Sequence, residues 1–410
     1  MNLIDGIFFF YIFISLYMTL LMLSIFFLNR KKIFEEYKGK PEPVSVVIPC
    51  YNEEKEIGAA IESILNLNYP KEMIEIIVVD DKSTDNSVNI IKAYVKKHSN
   101  VKLIVNKRNS GKAAEPTNIG IKAARYNYIA LTDADSSPDK DALIQMMGLL
   151  QEDKKTAAVT CAVLAKKPKK FMQKLQEIEY LVIAFNRRML DLIDAVYVTP
   201  GPFALYRKSA LIEIGLFDTK NMTQDIEIVW RLRSHGYNAK MCLPARVYSE
   251  TPSKFKSWWN QRVRWNIGGT QTLFKYKSIV FRKGMLGAFI VPYFSLSLFM
   301  GLLGLGLYLY LTLRNIMLSY LSTKYSLAAE TAILSLRELS FHPSILNFFG
   351  FFLFILGLTF TFLVLKVMKI HKVGNSKIFN VLFYMIIYLS IYPVIMARAL
   401  YKMIIGKYTW

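Results

Sequence analysis

Cysteine, histidine and acid are scarce in this 410-residue chain. The three cysteines, Cys50, Cys161 and Cys242, are odd in number and far apart. They offer no disulfide framework and point to a reducing compartment. The four histidines, His98, His235, His342 and His371, lack metal-ligand spacing, so no zinc site is expected. Asp and Glu number 31 against 52 Lys and Arg, a net charge of +21, although charged residues make up only 20% of the chain. No GxGxxG and no GxxxxGK(S/T) occurs, so neither a dinucleotide fold nor a P-loop is supported. What is plentiful is apolar: 53% of the residues are hydrophobic, with a mean hydropathy of +0.26. That excludes a disordered chain and sets this one apart from an ordinary soluble enzyme. The length allows two or three structural units.

The apolar excess is concentrated. Gly6–Leu28, Gly284–Leu313, Pro343–Leu365 and Ile378–Ala397 carry no charge. Each is long enough to cross a bilayer core of about 30 Å at roughly 1.5 Å per residue. Pro393 is a candidate kink in the last. Arg30, Lys31 and Lys32 follow the first run, Arg282 and Lys283 precede the second, and Lys366, Lys369, Lys372 and Lys377 lie between the third and fourth. With four spans all three sets fall on one side, which is then cytoplasmic. The expected division is residues 1–39 for the first span and its basic flank, 40–252 for a cytoplasmic domain, 253–283 for interfacial helices and 284–410 for three further spans. Arg314–His342 would be an external loop. Arg398, Lys402 and Lys407 would also lie outside, against the rule. Anionic lipid accounts for charge that flanks spans, so a membrane-lipid partner is expected and nucleic acid is not.

The large domain reads as α/β. Val44–Ile48, Ile74–Val79, Val101–Val105 and Tyr128–Leu131 are apolar runs suited to buried strands. Helical spacing over Lys55–Leu67, Ser87–Lys97 and Ala113–Ala124 separates them. Alternation of this kind predicts a mostly parallel sheet whose ligands bind beyond the carboxyl ends of the strands. Polar residues gather there, in Pro49–Glu53, Asp80–Asp85 and Asp133–Ser136.

Asp133 and Asp135 stand two apart after an apolar strand, where two carboxylates can meet one hard divalent cation and its phosphate ligands. Asp225 opens a helical stretch and is either a functional carboxylate or a helix cap. Phe255–Trp265 (FKSWWNQRVRW) holds three of the five tryptophans. On a helix Gln261, Arg264 and Trp265 share a face suited to a phosphate-bearing sugar, and an interfacial helix would use the same residues at lipid headgroups. Thr199–Tyr206 is a Gly/Pro turn between strand-like flanks.

In order, YNEE, VVDDKSTD, NSGKAAEPTN, TDADSS, TPGPFALY, TQDIE and QRVRW resemble the family 2 membrane-integrated processive glycosyltransferases: the cellulose, chitin, hyaluronan and poly-N-acetylglucosamine synthases. The likeness runs from Val44 to about Trp265. It implies an α/β GT-A catalytic domain that uses a UDP-sugar with Mg²⁺ or Mn²⁺. Pro49, Tyr51, Glu53, Asp80 and Asp81 would line the uridine, and Lys112 would approach the nucleotide. Asp133 and Asp135 match the family's DxD, with Asp135 the direct metal ligand. Asp225 matches the catalytic base. Gln261 and Arg264 would meet the diphosphate, Trp265 would lie beneath the acceptor sugar, and Thr199–Phe203, with Gly201, would face the acceptor. The family's TED motif is TQD here, with Gln224 in place of Glu. The expected reaction is inverting transfer of a hexose or N-acetylhexosamine to a growing β-linked polysaccharide at the plasma membrane. Single-sugar transfer to a lipid-linked acceptor is the alternative. A transporter or inert scaffold would leave the α/β domain and its carboxylates unexplained. Oligomeric state is not legible.

Overall fold

The computed structural model describes residues 3–328, 345–368 and 375–408. Helix α1 (Leu3–Leu28) leads through a non-helical linker into an α/β domain. There β1 (Val44–Cys50), α2 (Ile57–Leu65), β2 (Ile74–Asp80), α3 (Ser87–Lys97), β3 (Val101–Val105), α4 (Ala114–Ala123) and β4 (Tyr128–Leu131) alternate as expected. Then come β5 (Ser136–Pro138), α5 (Ala142–Gln151), β6 (Thr156–Ala165), α6 (Phe171–Asp191), β7 (Ala204–Arg207), α7 (Lys208–Glu213), α8 (Gln224–Ser234) and β8 (Asn238–Ser249). One eight-stranded sheet results, in the order β3-β2-β1-β4-β7-β6-β8-β5. β1 to β4 are parallel, β7 is antiparallel to β4 and β6, and β6 and β8 are parallel.

The continuous apolar strands follow from burial on both faces. Val46, Ile48, Ile76 and Val78 face one core, with α2, α3 and α5. Their neighbours Val47, Ile77 and Val79 face the other, with α6 and α8. The second core continues without a break into α9 (Phe255–Tyr276) and residues of the apolar helices such as Val364, Tyr384 and Ile395. The sheet face that carries Val47, Ile77 and Val79 is therefore joined to the apolar helices through one hydrophobic interior.

Those helices are α10 (Val291–Ala328), α11 (Ile345–Val367), α12 (Asn375–Phe383) and α13 (Tyr392–Ile404). Four helices among the described residues are long and apolar enough to cross a membrane: Leu3–Leu28, Leu286–Ala328, Phe348–Val367 and Ile378–Ile404. The expected loop at Arg314–His342 is corrected in its first half. α10 runs through Arg314 to Ala328, because Arg314–Ala328 contains neither proline nor glycine to end it. Residues 329–342 lie outside the described residues, as do Lys369 and Lys372 of the basic loop. The last span is interrupted: a π-turn over Tyr384–Tyr388 and a 3₁₀ turn over Leu389–Ile391 separate α12 from α13, and Pro393 stands in the first turn of α13.

Candidate active site

The loops after β1 and β2 are stitched together at the carboxyl edge of the sheet. The Asn52 amide donates to Ser83 Oγ at 2.9 Å, and the Glu53 amide donates to Ser87 Oγ at 2.9 Å. The Asn86 amide reaches Glu54 Oε2 at 3.1 Å. Asn52 takes a positive φ of 54° to make this turn. Tyr51 is exposed beside it, Pro49 is the last residue but one of β1, and Asp80 is buried with Oδ1 unpartnered among the described residues. Asp81, beside it, is bonded as well. Its Oδ1 accepts from Asn106 Nδ2 at 2.8 Å and its Oδ2 from the Ser110 amide and hydroxyl at 2.9 and 2.7 Å, so it holds the loop after β3. Lys112 Nζ donates to the carbonyls of Thr219 and Lys220, both at 3.0 Å, and ties that loop to the approach of α8.

Asp133 and Asp135 follow β4. Thr132 Oγ1 donates to the Pro202 carbonyl at 2.7 Å, which locks the strand end to the TPGP turn. Gly201 lies so close that a Cβ there would stand 2.8 Å from Asp133 Oδ1. Gly201 thus frames the DxD carboxylate. The upstream flank of this turn is not a strand as expected: α6 ends at Asp191 and a non-repetitive segment reaches Ala204, where β7 begins. Burial, then Asp135 and Asp225, push Asp133 up to about 8 against the opposing pull of Arg264. Burial and Asp135 push Glu53 up to about 7. Asp135 is raised by burial, although Ser136 Oγ donates to its Oδ1 at 3.0 Å.

Asp225 sits in the first turn of α8 behind Thr223. Its Oδ1 accepts from the adjacent Ile226 amide of the first turn at 3.1 Å, while Thr223 holds the N-cap position without a side-chain bond to the helix. Burial raises its pKa, while Arg264 and Arg187 favour the ionised form. On α9, Arg264 is pulled down by burial and held up by Asp225 and Asp133. DxD, TQD and the α9 motif thus share one electrostatic neighbourhood. Gly268 permits it: a Cβ there would lie 2.5 Å from the Thr223 backbone nitrogen, so α9 rests directly on the start of α8. Gln261 and Trp265 are both half-buried and both touch Arg262, whose Nη1 donates to Gln261 Oε1 at 2.5 Å and whose guanidinium lies 4.0 Å from the Trp265 ring centre.

Residues 45–215 match the model of Glycosyl transferase family 2. The poly-beta-1,6-N-acetyl-D-glucosamine synthase of Staphylococcus epidermidis is 33% identical over 281 residues, 67% of each chain. The chain belongs to glycosyl transferase family 2. The enzyme of the same name from Staphylococcus aureus strain COL is 32% identical over 283 residues, again 67% of each chain. A mannosyltransferase from Pyrobaculum calidifontis, solved with GDP-Man and Mn²⁺, matches in structure with a TM-score of 0.57 at 17% identity, over 97% of this chain and 99% of its own. The GT-A-type sheet is the one the motif order implied.

For this family 2 chain the sequence reading passed over three buried charges near the site. Glu179 and Arg262 are 3% and 0% exposed and pair with each other. Arg187, 5% exposed, has Nε unpartnered among the described residues and lies near Tyr197, Cys161 and Asp225. For Glu179 and Arg187 the sequence signal was charge recurring on the buried stripe of α6 beside Leu175, Ile178 and Ala184; Arg262 lies on α9 among its buried residues Trp258 and Val263.

Proposed function

We propose that this chain is a membrane-bound inverting glycosyltransferase that extends a β-linked polysaccharide from a UDP-sugar, with UDP-N-acetylglucosamine the first donor to test. The observation that carries the reading is the meeting of Asp133, Asp225 and Arg264 at the carboxyl end of the sheet. The activity named for the staphylococcal relatives supports the choice of sugar.

An acceptor hydroxyl attacks the anomeric carbon on the face opposite the departing UDP, which turns an α-linked donor into a β-linked product. Asp225 accepts the hydroxyl proton; a positioned base contributes about 10²–10⁴-fold. Arg264 donates to the diphosphate as its charge grows, with Gln261 beside it. Trp265 supplies a flat surface beneath the acceptor sugar. Pro49, Tyr51, Glu53, Asp80 and Asp81 bound the uridine pocket, and Lys112 approaches the nucleotide.

The residues fit a divalent cation. Asp133 and Asp135 are hard oxygen donors that burial raises, with Asp135 adding to the rise at Asp133, and a cation would offset that cost. No group of three or more His, Cys, Asp or Glu side chains suited to a metal occurs among the described residues. Two carboxylates completed by substrate phosphates and water is the arrangement Mg²⁺ or Mn²⁺ takes with nucleotides. When bound, the ion supplies charge neutralisation to the leaving diphosphate. The basic flanks support a catalytic domain on the cytoplasmic side of the plasma membrane, where UDP-sugars are made.

The test is UDP release from a panel of UDP-sugars, with and without EDTA. The reading expects release with one preferred donor, its loss in EDTA and its return with Mg²⁺ or Mn²⁺. UDP release from none of the donors would contradict the function, and full release in EDTA would contradict the metal.

A further inference from the structure

Arg262 takes no part in the reaction above, yet it is wholly buried and bonded on every side. Its Nη2 pairs with Glu179 Oε2 on α6, and its Nε lies 3.3 Å from Glu179 Oε1 and 3.1 Å from the Tyr392 hydroxyl. Tyr388 donates to Glu179 Oε2 at 2.7 Å, and Tyr392 donates to Oε1. Trp258 Nε1 donates to the Tyr388 hydroxyl, and the two rings stand 4.7 Å apart. The other end of the guanidinium faces the site, bonded to Gln261 and lying against the Trp265 ring.

Burying an ion pair is favourable only when its remaining hydrogen-bonding groups are satisfied, and hydrophobic residues of similar volume are often at least as stable. A Glu–Arg pair fully served by two tyrosines is therefore weak evidence for stability and needs another reason. Tyr388 ends the π-turn and Tyr392 opens α13, so the two flank the 3₁₀ turn within the interruption of the last span. An interruption of this kind costs regular hydrogen bonds inside a bilayer and is frequent at functional positions. Here it delivers two hydroxyls to one carboxylate.

We propose that Glu179, Arg262, Tyr388 and Tyr392 form a positioning cluster through which the broken last span fixes the Trp265 indole against the acceptor. The proposal rests on the reading of Trp265 as the acceptor platform. Glu179 orients the guanidinium, the planar guanidinium braces the indole, and the tyrosines fix Glu179. The span is thereby part of the acceptor site without touching the sugar.

The test uses the full chain in lipid nanodiscs and compares glycosyl transfer with hydrolysis of the UDP-sugar, in which water takes the acceptor's place and free sugar and UDP leave. The variants are Tyr388→Phe with Tyr392→Phe, Arg262→Lys and Trp265→Ala. Both cluster variants should lose about 10-fold or more in acceptor kcat/KM, while UDP affinity by calorimetry and donor hydrolysis stay within about twofold. Arg262→Lys keeps the charge for Glu179 but loses the planar face and part of the fork's hydrogen bonds, so it should match the tyrosine pair in the transfer-to-hydrolysis ratio even where Tm falls. A parallel fall in transfer and hydrolysis with a lowered Tm would mean a purely structural cluster and overturns the inference. An unchanged transfer-to-hydrolysis ratio in both cluster variants overturns it as well. Trp265→Ala separates the two levels. If it lowers the ratio and the cluster variants do not, only the positioning role fails. If Trp265→Ala leaves the ratio unchanged, the platform reading itself falls.

Discussion

Asp225 shows what a single residue can decide. Asn keeps its size and much of its hydrogen bonding but cannot take a proton at neutral pH. Asp225→Asn should cut transfer by roughly 10²-fold or more with UDP affinity by calorimetry nearly unchanged; near-normal rates would remove the base role. Asp133 gives a second test, in pH. Its folded carboxyl stays protonated up to about 8, whereas an unfolded aspartate titrates near 3.9. Between those values the folded state binds more protons, so stability falls as pH rises. Thermal unfolding in EDTA should give a lower Tm at pH 8 than at pH 5 from this group, and Asp133→Asn should flatten the difference. Mn²⁺ with UDP should restore stability at pH 8 if the ion relieves the carboxylate repulsion. Asp133, Asp225 and Arg264 were legible because their motifs fall in a fixed order along the chain. Arg262, Glu179 and Arg187 were not, since a charge on a mixed helix looks solvated until the facing elements are known.

At the scale of elements, the first four strands and three helices were legible to within two residues at nearly every end. Buried parallel strands must be apolar throughout, and the helices between them keep a regular apolar stripe. The long end of α10 was not legible, because charge at Arg314 marks the edge of a membrane and not the end of a helix. The break in the last span was visible only as Pro393; its π and 3₁₀ turns depend on what α9 offers to Tyr388 and Tyr392. The contact between α8 and α9 carries its own prediction. A methyl at Gly268 would overlap the Thr223 backbone, and overpacking against rigid backbone costs about 1–3 kcal/mol. Gly268→Ala should lower Tm and reduce transfer more than UDP binding, because it moves Arg264 away from Asp225. Normal transfer at a normal Tm would show that the two helices need no such approach.

For the whole molecule, one apolar interior joins the sheet to the spans. Native Cys50, Cys161 and Cys242 are all buried, which leaves a low labelling background. In sealed cells a cysteine at position 335 should react with an impermeant maleimide, and one at Lys154, on the exposed turn before β6, should not. The reverse pattern would invert the orientation. The central claim, polymerisation from a UDP-sugar, is tested most directly by mass spectrometry of what the purified full chain makes from UDP-N-acetylglucosamine with Mn²⁺ in a bilayer. The account predicts a ladder of products spaced by one N-acetylhexosamine, with one UDP released per unit added and no ladder from Asp225→Asn. A single sugar on a lipid, or UDP release without any extended product, would contradict it.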